Sequence, residues 1–273
     1  MKYEMIAIDL DGTLLNSNKE ISKGNLIALE EAVAKGVKII LCSGRIFSAV
    51  KVFARQIGID HPMIACNGAI IRDIKIGKDV YINPLTSEDA ARVIEICHGH
   101  DIYFHAYVGD TMYVEELNYV SLAYWEGNQK LSPEDRIDIK VMKDFGRKLN
   151  EIGEPVTKIV VMDEDRERLF KIRKVMSAVP TVTLSSSCDE NFEVMNKGVG
   201  KGKALDILSG YLGIPRQKTM AMGDNENDLT MLEFAEFGVA MANAIEEVKS
   251  AADYITLSND EDGVGDAIRK FVL

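Results

Sequence analysis

Two aspartates one residue apart, Asp9 and Asp11, follow directly on the apolar run Met5-Ile6-Ala7-Ile8. A short, β-rich apolar run of this kind reads as a strand buried on both faces. Its carboxyl end is where open α/β sheets bind ligands. Two carboxylates about 4 Å apart repel by roughly 4 kcal/mol at an effective dielectric of 20. A divalent cation relieves that repulsion, and Mg²⁺ suits hard oxygen donors. Gly12 lets the chain turn sharply, and Thr13 offers a hydroxyl. Taken alone, the pair fits an acidic turn equally well.

The arrangement recurs along the chain. Val37 to Leu41 is another run, apolar but for Lys38, and Cys42-Ser43-Gly44-Arg45 follows it. A hydroxyl and free backbone N–H groups entering a helix make an anion site. Thr219 to Met222 runs into Gly223-Asp224-Asn225-Glu226-Asn227-Asp228. Acids there would cap a helix, or meet the first pair on one cation. Two acid-tipped strand ends in one parallel sheet favour the shared cation. Lys201, in Gly198-Val199-Gly200-Lys201-Gly202, stands before a helix and would neutralise an oxyanion. A P-loop is excluded, because GxxxxGK[ST] is not satisfied there. No GxGxxG follows the first strand, and the loop from Asp224 lacks the glycine of a calcium-binding EF-hand.

Between these sites the periodicity alternates. A helix begins at about Ser22, with Leu26, Leu29 and Val33 on one face. Another covers Phe47 to Gln56. Strand–helix alternation predicts an α/β fold, a Rossmann-like doubly wound parallel sheet. From Pro84 the texture changes to a mixed α+β block. It contains a helix over Glu88 to Cys97, capped by Thr86 and Asp89, and an aromatic stretch including Tyr103, Tyr107, Tyr124 and Trp125. The α/β rhythm returns after Asp189. The expected organisation is a core from 1–83 and 189–273, with 84–188 inserted.

The net charge of −11 over 273 residues argues against nucleic-acid and anionic-membrane partners. No apolar run approaches the roughly 20 residues of a membrane span. Glu4 stands where a secretory signal would be apolar. The four cysteines form no CxxC pair and read as buried thiols, and the four histidines show no metal spacing. A cytoplasmic location is expected.

Taken in order, Asp9-Leu10-Asp11-Gly12-Thr13, Ser43-Gly44, Lys201 and Gly223-Asp224-Asn225-Glu226-Asn227-Asp228 resemble the motifs of haloacid dehalogenase-like phosphohydrolases. Ile8-Asp9-Leu10-Asp11-Gly12-Thr13-Leu14-Leu15 and Cys66-Asn67-Gly68-Ala69 are similar to phrases of the Cof-like sugar-phosphate phosphatases in that superfamily. The interval from Asp11 to Ser43 holds a single helix. The interval from Ser43 to Lys201 far exceeds what the sheet needs. The inserted block therefore resembles the α+β cap of the second type.

The resemblance implies roles. Asp9 attacks phosphorus and forms an aspartyl-phosphate. Asp11 protonates the leaving oxygen and then activates water, which calls for a raised pKa. Mg²⁺ is held by Asp9, the backbone carbonyl of Asp11 and Asp224, with Asp228 orienting Lys201 or a metal-bound water. The Leu10 backbone, Ser43, Gly44, Lys201 and Asn227 bind phosphate oxygens. The implied function is Mg²⁺-dependent hydrolysis of a small phosphorylated metabolite, a sugar phosphate, by a monomer or small homo-oligomer. Phosphate transfer to a second sugar is the alternative on the same fold. Dehalogenation is disfavoured by Asp11. A non-catalytic binding protein is disfavoured because Asp9, Asp11, Lys201 and Asp224 are all present. In the cap, Tyr103, His105, Tyr107 and Trp125 either pack as core or meet a sugar. Arg45 is expected to reach a second anion or the cap. Hinges are expected near 82–86 and 186–191.

Overall fold

The computed structural model describes residues 2–273, with Asn150 described by its backbone only. The chain opens with β1 (Met5–Ile8), α1 (Lys23–Ala34), β2 (Lys38–Leu41), α2 (Phe47–Ile57) and β3 (Pro62–Ala65). β4 (Ile70–Asp73) and β5 (Lys78–Ile82) follow. The inserted part contains α3 (Ser87–Gly99), β6 (Tyr103–Val108), β7 (Thr111–Val114), α4 (Tyr119–Gly127), β8 (Asp138–Val141), α5 (Phe145–Ile152), β9 (Val156–Met162), α6 (Arg166–Met176), β10 (Val182–Ser185) and β11 (Asn191–Asn196). The chain closes with α7 (Lys201–Leu212), β12 (Thr219–Gly223), α8 (Leu229–Phe234), β13 (Phe237–Ala240), α9 (Glu246–Ala251), β14 (Tyr254–Ile255) and α10 (Gly263–Phe271).

The first sheet is parallel throughout, in the order β14-β13-β12-β1-β2. This is the doubly wound α/β architecture expected from the alternation. β1 lies inside the sheet, between β12 and β2, and is fully buried, as its unbroken apolar run requires. Ile8 is in register with Leu41 on one side and Met222 on the other. The polar residues after all three strands therefore emerge level, along one edge. β3 continues past β2 through the Ser43 N–H to the Ile64 carbonyl, 3.0 Å. It then folds into an antiparallel ribbon with β4 and β5.

Helix α1 starts where the sequence indicated. The Ser22 hydroxyl accepts the Asn25 N–H at 3.1 Å. Its buried stripe is Asn25, Ala28, Leu29 and Ala32 rather than Leu26, Leu29 and Val33, and Val33 is exposed. The stripe is rotated because α10 packs against this helix and takes Asn25 as a hydrogen-bond partner through the Gly265 N–H.

The second sheet has six strands, in the order β10-β11-β9-β6-β7-β8. It has its own hydrophobic cluster, running from Leu85 to Val194. The expected boundary after Ser187-Cys188 needs correction. β11 pairs with β9 and β10, so the second sheet ends only at Asn196. The returning connection thus lies beyond Asn196, not at 186–191. The sequence misplaced it because Phe192, Val194 and Met195 read equally well in either sheet. At the two crossings, the Asn196 side-chain amide donates to the Asn83 side-chain oxygen at 2.7 Å.

Candidate active site

Asp9 leaves β1 with its backbone N–H on the Met222 carbonyl, 3.1 Å. That bond locks it beside the end of β12. Asp224 leaves β12 and accepts the Thr13 hydroxyl on one oxygen, 2.7 Å. Lys201, fully buried at the start of α7, reaches Asp9 and Asp228 at 2.6 Å each. Asp228 uses its other oxygen to accept the Asp224 and Asn225 N–H groups, at 2.9 and 3.1 Å. Oxygens of Asp9, Asp224 and Asp228 lie within 4.8 Å of one another.

The electrostatics follow from this crowding. Three carboxylates face one ammonium. Burial, then the Asp228 and Asp224 charges, push the Asp9 carboxyl well above its ordinary range, against the pull of Lys201. Burial and Asp228 likewise raise Asp224. Burial alone would lower Lys201, but Asp228 and Asp9 outweigh it and raise it. The site is thus a buried excess of negative charge. Asp228 has both oxygens engaged with the protein. Asp9 and Asp224 each keep one oxygen without a hydrogen-bond donor among the described residues. Hard oxygens with surplus charge fit a divalent cation such as Mg²⁺. Gly12 makes room for the Asp224 carboxylate. Its φ is +79°, and a Cβ there would lie 2.3 Å from an Asp224 carboxylate oxygen.

Asp11 departs from expectation. Its side chain is outside the carboxylate cluster. Arg45 holds both of its oxygens, Nε at 2.6 Å and Nη2 at 2.7 Å, and Lys19 adds a contact at 2.9 Å. Burial would raise the carboxyl, but Arg45 and Lys19 hold it well below the usual carboxylate range. The raised pKa expected of an acid is therefore absent in this conformation. Arg45, expected on a second anion or the cap, is committed to Asp11 and lies over the Phe53 ring at 5.3 Å.

Ser43 is buried, and its hydroxyl accepts the Arg45 N–H at 3.1 Å. The Leu10 side chain is buried, and its carbonyl accepts the Leu15 N–H at 2.8 Å. Among the described residues, no acceptor meets the Leu10 or Gly44 N–H. A Cβ on Gly44 would sit 2.8 Å from the Asn67 oxygen. Asn227 donates to that same oxygen at 3.1 Å.

Asp9, Asp11, Ser43, Gly44 and Asn227 all line one cavity of about 430 Å³, with His105, Tyr107 and Tyr124 on its opposite wall. Trp125 is exposed instead, and Tyr103 lies outside this cavity.

Two buried residues here were not singled out from sequence. Lys158 of β9 and Glu193 of β11 are 2.5 Å apart. Lys158 also donates to the Gly44 carbonyl, and Glu193 accepts the Asn67 amide at 2.5 Å. This pair binds the second sheet to the Ser43-Gly44 loop. The available signal was a charge inside each apolar strand run.

Comparison with known proteins agrees with this geometry. The family model of haloacid dehalogenase-like hydrolases matches residues 6–268. Phosphatase YwpJ of Bacillus subtilis is 33% identical over 278 residues, covering 96% of this chain and 97% of that protein. The 5-amino-6-(5-phospho-D-ribitylamino)uracil phosphatase YwtE of the same organism is 32% identical, covering 95% and 94%. A solved structure of a subclass IIB sugar phosphatase superposes with a TM-score of 0.82 at 26% identity, covering 98% of each chain. The chain belongs to the haloacid dehalogenase-like hydrolases. Within that family it is a phosphatase. Among the described residues, no helix is long and apolar enough to cross a membrane.

Proposed function

We propose that this protein is a Mg²⁺-dependent, cytoplasmic phosphatase of small phosphorylated metabolites, sugar phosphates among them, acting through Asp9. The observation that carries the reading is the Asp9 carboxylate at the cavity wall. Lys201 steadies one of its oxygens at 2.6 Å, and the other is without a donor.

In this reading one oxygen of Asp9 bonds to phosphorus, leaving the other for the cation, while the bond from phosphorus to the leaving oxygen breaks. Asp11 gives that oxygen its proton. Water then attacks phosphorus, Asp11 takes the water's proton, and the aspartyl–phosphorus bond breaks to free phosphate and Asp9. Asp11 must first free one oxygen from Arg45 and take up a proton there, while the other oxygen stays on the guanidinium. The negative charge of an arriving phosphate favours that uptake. The Leu10 and Gly44 N–H groups, the Ser43 hydroxyl, Asn227 and Lys201 would bind the phosphoryl oxygens as charge develops on them. Asp9, Asp224 and the Asp11 carbonyl would hold Mg²⁺, and Asp228 would keep Lys201 and the Asp224 loop in place. When bound, the cation offsets the carboxylate charge and polarises a phosphoryl oxygen. The second sheet would act as a cap, moving on hinges at Asn83–Leu85 and beyond Asn196.

The test is phosphate release from sugar phosphates and nucleotides, with Mg²⁺ or with EDTA, beside Asp9→Asn. Mg²⁺-dependent release that the substitution abolishes is the expected result. Well-folded protein that releases nothing would sink the reading. Phosphate that passes to a second sugar without becoming free would mark a phosphotransferase.

A further inference from the structure

Asn67 stands where the loop after β3 meets both the inserted block and the loop after β12. Its φ is +55°, a left-handed conformation that asparagine tolerates better than most residues. Its backbone N–H is fastened to the Ser43 carbonyl at 3.0 Å. The side chain is buried, as are those of Lys158, Glu193 and Asn227 around it. On one side the Asn67 amide nitrogen donates to Glu193 at 2.5 Å and to the Ser185 hydroxyl at 3.4 Å, with the Met195 sulfur 3.7 Å away. On the other side the amide oxygen accepts the Asn227 nitrogen at 3.1 Å.

These contacts have a direction. Ion-paired with Lys158 at 2.5 Å, Glu193 offers acceptors only. It therefore demands the nitrogen end of the Asn67 amide. The oxygen end is left for Asn227, and an oxygen demands a donor. Asn227 must turn its own nitrogen toward Asn67. One N–H of that nitrogen is used there, and among the described residues the other meets no acceptor. Asn227 lines the cavity together with Asp9, so it is left with a donor for a phosphoryl oxygen. Asn67 is closed to solvent and cannot exchange these partners for water. Reversing either amide sets oxygen against oxygen or nitrogen against nitrogen.

We propose that Glu193, acting through Asn67, orients the Asn227 amide as a phosphate donor, so that the phosphate position is complete only when the second sheet is seated on the Ser43-Gly44 loop. The assignment rests on the reading of Asn227 as a phosphate ligand. Glu193 and Asn67 are positioning residues, which reach the phosphate through Asn227. Lys158 ties the same carboxylate to the Gly44 carbonyl. Lifting the second sheet takes the Glu193 acceptor away, and both amides are then free to turn. Reseating it restores their order.

The test measures the affinity for inorganic phosphate, with Mg²⁺ present, by calorimetry in wild type, Glu193→Gln and the double variant Lys158→Met/Glu193→Gln. Glutamine keeps the shape of glutamate but offers a donor as well as an acceptor, so the order of the two amides is no longer set. The double variant also leaves no unpaired lysine charge. Both are expected to bind phosphate about tenfold or more weakly. Arg55→Gln removes a different contact with the inserted block, the Arg55–Asp135 ion pair, and is expected to bind phosphate as wild type does. Equal affinity in the two Glu193 variants overturns the proposal, and so does an equal loss in Arg55→Gln. A second readout does not depend on the folding of any variant. In wild type with Mg²⁺, the side-chain amide resonances of Asn67 and Asn227 are followed by NMR while inorganic phosphate is added. Movement of both supports the proposal. Movement of Asn227 alone, or of neither, overturns it. Phosphate that binds with these responses but is released from no ester would sink the phosphatase reading and leave the orienting role standing. Release from esters, with phosphate affinity unchanged in the Glu193 variants, would do the reverse.

Discussion

Arg45 grips both carboxylate oxygens of Asp11 from the loop after the neighbouring strand, at 2.6 and 2.7 Å. The guanidinium fork fixes the carboxylate's plane as well as its charge. Arg45→Ala leaves Asp11 only the exposed Lys19. We expect kcat to fall by up to about a hundredfold, the scale on which a misplaced catalytic group is felt. The Tm should move little, since the Asp11 side chain is over a third exposed and such pairs contribute about 1 kcal/mol or less. Steady-state kinetics beside a thermal melt separate the two effects. An unchanged kcat would show that Arg45 does not position Asp11.

Gly12→Ala should act on the metal rather than on the fold. The new methyl group meets the Asp224 carboxylate, and φ at this position is +79°. A Mg²⁺ titration by calorimetry is expected to show affinity weakened by about tenfold or more. The strained backbone should cost about 1 kcal/mol of stability. Equal Mg²⁺ affinity in the variant would remove Asp224 from the metal's ligands.

Lys158 and Glu193 should show strong coupling. Lys158→Met leaves the Glu193 charge buried and unpaired, a change expected to cost about 3–5 kcal/mol. Replacing both residues by Met should cost less than the two single changes added together. Urea unfolding of the three variants gives the coupling directly. Additive losses would mean that the pair contributes nothing jointly to holding the second sheet in place.

His105 sets a pH dependence of stability. Its folded pKa, about 3, lies below the ordinary 6.5. Between those values the unfolded chain binds the proton and the folded one does not. The contribution is therefore fully present above pH 6.5 and is lost as pH falls toward 3, by about 1.4 kcal/mol per pH unit. His105→Gln carries no such proton. The stability difference between wild type and variant should shift against wild type from pH 7 to pH 5 in urea melts. A difference that stays constant over this range would show that His105 keeps an ordinary pKa.

What the sequence made legible was local. Asp9, Ser43 and Asp224 each close a short apolar strand, and a parallel sheet sets their strand ends level without further information. Lys201 was recognisable from the glycines before it. Lys158 and Glu193 were not, because their meaning arises only when β9 and β11 pair and dock on Gly44. The same cause hid the Arg45–Asp11 pair. Arg45 was visible as a charge beside an anion loop, but its partner was chosen by the level emergence of β1 and β2. The boundary at Asn196 was missed because an apolar strand carries no label for the sheet it joins.

The Asn83–Asn196 hydrogen bond places the two ends of the insertion side by side. The chain thus enters and leaves the block at one spot, as a handle is joined to a door, while Lys158 and Glu193 hold it again at the Ser43-Gly44 loop. A short turn between those asparagines would in principle reseal the parallel sheet without rerouting any of its strands. Other blocks of any length could be spliced at the same seam. On the proposed reading, chemistry and selectivity would therefore be separable in this fold: the residues assigned to phosphorus could stay fixed while the inserted block is exchanged wholesale.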